Sequence, residues 1–119
     1  EATARAEEQF SAHCGAMPME MMGGMVEAQR LRDAALARAV LQAMQETGGP
    51  VAVITGTEHA RKDRGVPAAL ALAAPGLHVL AIGQTEEDPG ADAPFDLWLV
   101  TAPAPRPDPC AAFAPPSDG

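Results

Sequence analysis

The sequence predicts an α/β fold, a partial parallel or mixed sheet of about three strands with flanking helices. Three observations carry that expectation. The stretch from Met25 to Glu46 is dominated by Ala, Leu, Gln, Arg and Glu, residues that lose little on entering a helix. The runs VAVIT (51–55), LHVLAIG (77–83) and FDLWLVT (95–101) are short and largely apolar, the first of them β-branched, as buried strands are. Gly and Pro punctuate the intervals between these segments, where they stop helices and turn loops.

Taken in order, residues 3–13 read as a helix, with Ala6, Phe10 and His13 or Cys14 three and four apart and Gly15 as its stop. Pro18 suits the first turn of a second, short helix. The pair Gly23-Gly24 is expected to break or kink it. The long helix from Met25 to Glu46 ends at Gly48-Gly49-Pro50. Strand 51–55 is followed by the loop GTEHARKDRGV, and Pro67 opens a helix over Ala68 to Ala74 that Pro75-Gly76 stops. Strand 77–83 then completes one right-handed βαβ unit with strand 51–55. An acidic loop (84–94) leads to strand 95–101, and an extended Pro-rich tail follows. No repeat is visible.

A parallel sheet needs both faces covered, and three strands with three helices do not achieve this. The segment EATARAEEQF reads as mid-helix from its first letter, so the expectation is a processed piece of a longer protein. An upstream half or a second copy of the chain would complete the sheet.

Composition narrows the partners. The chain of 119 residues carries a formal charge of −8, which argues against nucleic acid and against anionic membrane surfaces, since both select a basic face. It is 47% apolar but 3% aromatic, without tyrosine, so its core is expected to be rich in alanine. No apolar run approaches the ~18 residues of a membrane-spanning helix. Cys14 and Cys110 are the two cysteines. In an exported protein they read as a disulfide closing a long loop, the preferred reading, and in a reducing compartment as two buried thiols.

Four places hold candidate chemistry. The segment HCGAMPMEMMGGM (13–25) packs one histidine, one cysteine and five methionines into thirteen positions. Thioethers fill irregular core gaps, and here Met22 and Met25 also offer a pliable apolar wall for a flat ligand. On the long helix, Val26, Leu36, Val40 and Met44 share a face that Gln29 and Asp33 interrupt. A buried Asp needs a partner, so this pair either ties the helix to a neighbour or faces a site.

The loop TGTEHARKDRGVP (55–67) starts at the carboxyl end of a predicted parallel strand, where open α/β sheets hold ligands. Gly56 permits a tight turn there, and the imidazole of His59 suits a metal, haem iron or acid–base work. Arg61, Lys62 and Arg64 are three of the eight basic residues, within four positions. They point to a carboxylate or phosphate partner or to a solvated loop balanced by Glu58 and Asp63. His13, beside Cys14, reads first as a helix-end contact, and His78 as a structural histidine inside a strand. The common zinc, phosphate-loop, nucleophile-elbow and haem-attachment motifs are absent.

Together, AHCGAMP, GMVEAQRLRDAALA, GTEHARKDRGVP and DPCAAF, spread between Phe10 and Phe113, resemble the ChaN-like haem-binding uptake proteins of the Tiki superfamily. The resemblance implies that residues 1–102 are the C-terminal half of a ChaN-like α/β domain and 103–119 a Pro/Ala-rich tail. Of the two G-x-x-H motifs that mark the superfamily, Gly56-Thr57-Glu58-His59 matches the second. It further implies an exported protein, periplasmic or outer-membrane-associated and often a lipoprotein, that binds haem in a pocket and serves iron uptake. His59 carries over directly, and Gln29 and Asp33 fall in the shared A-Q-x-x-x-D segment. A tyrosine ligates haem iron in the family. This chain has none, so His59, His13, a methionine or a group of the missing half would take its place. Cys14 and Cys110 lie in matching segments, which adds to the disulfide reading.

Three functions are thus carried forward. The first is a non-enzymatic haem-binding module for iron uptake, with Gly56 to Pro67 lining the site, His59 at the iron and Arg61, Lys62 and Arg64 at the propionates. The second is a metal-dependent hydrolase of the Tiki/erythromycin-esterase-like type, in which His59 helps hold a divalent metal and Glu58 or Asp33 activates water. The third is a non-catalytic structural half-domain that packs against its missing half.

Overall fold

The computed structural model describes residues 2–111; the end of the expected tail lies outside the described residues. The described residues fold as two compact units, one of residues 30–103 and one that unites 2–29 with 104–111.

The first unit opens with helix α1, Ala2–Ala12. Its end is a left-handed cap: Cys14 (φ 61°) and Gly15 (φ 65°) reverse the chain, and their N–H groups donate to Ser11 and Phe10 carbonyls at 2.9 Å. Cys14 is bonded to Cys110, with 5.4 Å between the Cα atoms. Arg5 and Gln9 are the buried residues of α1, whereas Ala6 and Phe10 of the expected apolar stripe are half-buried. Two apolar side chains form too weak a stripe to set the helix's rotation.

Pro18 precedes a 3-10 turn, Met19–Met21, and helix α2, Met22–Thr47, follows at once. The expected break at Gly23-Gly24 does not occur. Both glycines sit in the first turn of α2 with open space around them. There the N–H groups have no intrahelical acceptor in any case, so the usual glycine cost of about 1 kcal/mol each is softened. Met22 is fully buried and Val26 nearly so.

In the second unit, α2 continues from Arg30 and buries Asp33, Ala37 and Val40 on one face. It stops at Gly48 and Gly49, whose φ values of 78° and 76° only glycine adopts cheaply. The Gly48 N–H closes the helix on the Met44 carbonyl at 2.8 Å. Helix α3, Thr57–Ala60, is a single turn, and α4, Val66–Ala73, begins with Pro67 in its first turn as expected. Ala37 and Val40 of α2 meet Val66 and Leu70 of α4, with Leu36, Met44, Val51 and Leu77 around them. This Ala-rich core is small.

The sheet has two parallel strands, β1 (Ile82–Thr85) and β2 (Leu97–Val100), in register from Ile82 opposite Leu97 to Thr85 opposite Val100. Gly83 is required on steric grounds, because a Cβ there would come within 2.7 Å of the Phe95 ring. The fold is therefore a partial α/β unit, as expected, but its pairing differs from the expected βαβ. The parallel partner of β1 is β2, reached through 86–96 without a helix, and residues 51–56 run outside the sheet. An all-apolar strand gains from pairing only when both faces are buried. Ile54 is fully exposed and Leu80 is 62% exposed, so that gain is missing at 51–55 and 77–81.

Candidate functional site

The centre of the site is a contact between two residues 26 positions apart. His59 Nδ1 lies 2.6 Å from Asp33 Oδ1, with side-chain exposures of 17% and 5%. The carboxylate of α2 accepts and the imidazole of α3 donates. In the neutral ring this places the proton on Nδ1 and leaves the Nε2 lone pair for a ligand, the arrangement that orients metal-binding histidines. The polar interruption of the α2 face is thereby explained, and of the two expected uses for Asp33 the structure shows a tie to His59.

The turn that carries His59 is built by its neighbours. Gly56 caps α3, and its carbonyl accepts the His59 N–H at 3.0 Å. Its φ of −65° is open to any residue, so the expected tight-turn role is not required, and the space beside it does not demand glycine either. A Cβ at 56 would stand 4.0 Å from His59 Cδ2, on the ring edge next to Nε2. Gly65, which no motif in the sequence marks, is constrained. It packs on the backbone of the same turn, and a Cβ there would press on the His59 carbonyl and come within 2.7 Å of the Arg61 oxygen. Gly65→Ala is expected to cost about 1–3 kcal/mol by overpacking, read as a lowered urea midpoint with unchanged m-value. An unchanged midpoint would show that the turn relaxes freely.

The basic cluster is internally neutralised. Arg61 makes a bidentate pair with Asp63 (Nε at 2.9 Å, Nη2 at 2.7 Å) and reaches Glu58 at 3.4 Å. Arg64, buried, donates to the other Glu58 oxygen at 2.7 Å. Lys62 Nζ lies 2.6 Å from Asp96 Oδ1, and Asp96 Oδ2 accepts the Ala81 N–H at 2.8 Å. These links fasten the loop to the start of both strands. Anionic groups of a ligand would share these cations with their carboxylates, and Lys62, 52% exposed, is the most accessible of the three.

The same pairs set acid sensitivity. The Arg61 hydrogen bond holds the Asp63 carboxyl below its ordinary value of 3.8, and the Ala81 N–H, then Lys62, do so for Asp96. Asp63 in turn raises the Arg61 guanidinium. Carboxyls lowered by folding add stability that is complete above 3.8 and is lost as pH falls through their folded values. The parent chain should therefore lose more of its urea midpoint between pH 7 and pH 3 than Asp96→Asn does. Equal losses would remove Asp96 from the acid response.

His59 lines a cavity of about 600 Å3, within the usual range for small-molecule sites. Val40, Met44, Val66 and Leu70 line it together with 50–53 and 76–82, and most of these side chains are apolar. His78 lies on its wall. This corrects the expectation of a structural histidine inside a strand, because His78 is exposed and precedes β1. No sequence signal distinguished it, since LHVLAIG reads as one strand throughout. A second cavity of about 480 Å3 lies at the carboxyl end of 53–57 and is lined by Gly56, Thr57, Thr85 and Thr101.

The other expected site residues belong to the first unit. His13 Nδ1 lies 2.8 Å from the Gln9 carbonyl, which it caps. Met22 is core, Met25 is half-buried, and Gln29 is half-buried with an Oε1 that has no hydrogen-bond partner among the described residues. None of them lines the His59 cavity. Among the described residues no group of three or more His, Cys, Asp or Glu is placed to hold a metal ion. No helix among them is long and apolar enough to cross a membrane.

Fold and site thus define a partial α/β unit that presents a carboxylate-oriented imidazole on an apolar cavity. The family model for haem-binding uptake proteins, Tiki superfamily, ChaN, matches residues 1–70, and the chain belongs to that family. The match contains Asp33, Gly56 and His59 and ends before β1. No protein of curated function and no solved structure matches the chain.

The residues fit haem in two respects, a nitrogen donor with its second nitrogen anchored and apolar walls for a macrocycle. Held at His59, haem would supply an iron that accepts the Nε2 lone pair. Asp33 would hold the ring of His59 toward the group, and Val40, Val66 and Leu70 would offer it apolar walls.

Proposed function

We propose that this chain binds haem through His59 Nε2 and serves bacterial iron uptake as a non-enzymatic carrier module. The observation that carries the reading is the 2.6 Å contact of His59 Nδ1 with buried Asp33 beside an apolar cavity of about 600 Å3, in a chain of a haem-binding family. The Cys14–Cys110 disulfide supports an exported protein, because such bonds persist in oxidising compartments. Ile82, Leu97 and Leu99 are more than half exposed on the two-stranded sheet. Such a face supports a covering partner, an upstream half or a second copy.

Haemin titration followed in the Soret region, on the parent and on His59→Ala, tests the proposal. Saturable binding that His59→Ala weakens at least tenfold is expected. Equal binding by both proteins would take the iron away from His59, and no saturable binding by the parent would end the haem reading for this chain.

A further inference from the structure

We infer that His78 is a second axial ligand to the iron, so that the bound haem is six-coordinate between two imidazoles; this rests on the haem reading above. The chain has three histidines. One of them, His13, caps α1, and the other two line one cavity. The two differ in how they are held. His59 is anchored at Nδ1 by Asp33 and is mostly buried, whereas His78 is exposed and lies outside any helix or strand, between Leu77 and Val79. Burial does not explain an imidazole there, and no strand pairing holds it, since β1 starts at Ile82. Residues 76–82 line the same cavity as His59 and 50–53, so His78 and His59 reach it from separate segments. A fixed donor and an adaptable donor on one apolar cavity suit an iron that is taken up and passed on, because the adaptable ligand leaves without disturbing the fixed one. Met44, on the same cavity, is the competing donor, a thioether.

The test uses haemin with the full chain, its His78→Ala and Met44→Leu variants, and far-UV circular dichroism to establish that each is folded. The parent should give a low-spin ferric spectrum. His78→Ala should still bind haem saturably, turn high-spin, and return to low-spin when free imidazole is added. Met44→Leu should remain low-spin, whatever it does to affinity. A high-spin parent, a low-spin His78→Ala, or a spectrum altered only by Met44→Leu would overturn the assignment while haem binding stands. Absence of saturable binding in the parent would overturn the assignment together with the haem reading.

Discussion

Asp33→Asn is expected to lower haemin affinity about 10- to 100-fold, the usual effect of losing the group that orients a ligating histidine. The two side chains are nearly isosteric, so the variant should fold and keep its unfolding free energy within about 1 kcal/mol of the parent. What changes is the proton. The Asp33 carboxylate, with its side chain 5% exposed, accepts from His59 Nδ1 at 2.6 Å and so leaves a lone pair on Nε2. An asparagine amide that turns its NH2 to Nδ1 holds the ring as the opposite tautomer, with the proton on Nε2 where iron should bind. Haemin titration and urea unfolding on the same preparation separate the two effects. Affinity within threefold of the parent would show that the carboxylate does not prepare the ligand. A large loss of stability would show that Asp33 serves the core first.

Removing the disulfide should have the largest effect on stability. Cys14 and Cys110 are 96 positions apart, and a bond across so long a loop restricts the unfolded chain by about 2–5 kcal/mol. The folded chain has little to set against that loss, with a core centred on Ala37, Val40, Val66 and Leu70. The double variant Cys14→Ser with Cys110→Ser is expected to unfold at markedly lower urea concentration, and added reductant should move the parent to a similar midpoint. Two free thiols in the native parent, counted by thiol labelling without reductant, would contradict the bond. Equal midpoints would show that it adds nothing to stability.

How much was legible in advance varies with the range of the interaction involved. The ends of α1 and α2 were readable because a left-handed cap is local chemistry, carried by Gly15 in one case and Gly48-Gly49 in the other. Pro67 announced α4 in the same way. The Gly23-Gly24 break failed because the penalty depends on position in the helix, and only the structure places both in its first turn. Pairing of 51–55 with 77–83 failed because an apolar run records what a strand needs around it, while the pairing requires that cover to be present.

For the site, sequence by itself singled out Asp33 as a polar break in an apolar face and His59 at the head of a ligand-bearing loop. Those signals are written in periodicity and motif. Tertiary structure alone decided that the two residues meet, that Lys62 pairs with Asp96, 34 positions away, and that His78 stands on the His59 cavity. Each is a contact between side chains that chain order leaves undefined. Gly65 belongs with them, because its need for hydrogen in place of a side chain comes from the His59 and Arg61 backbone folded against it.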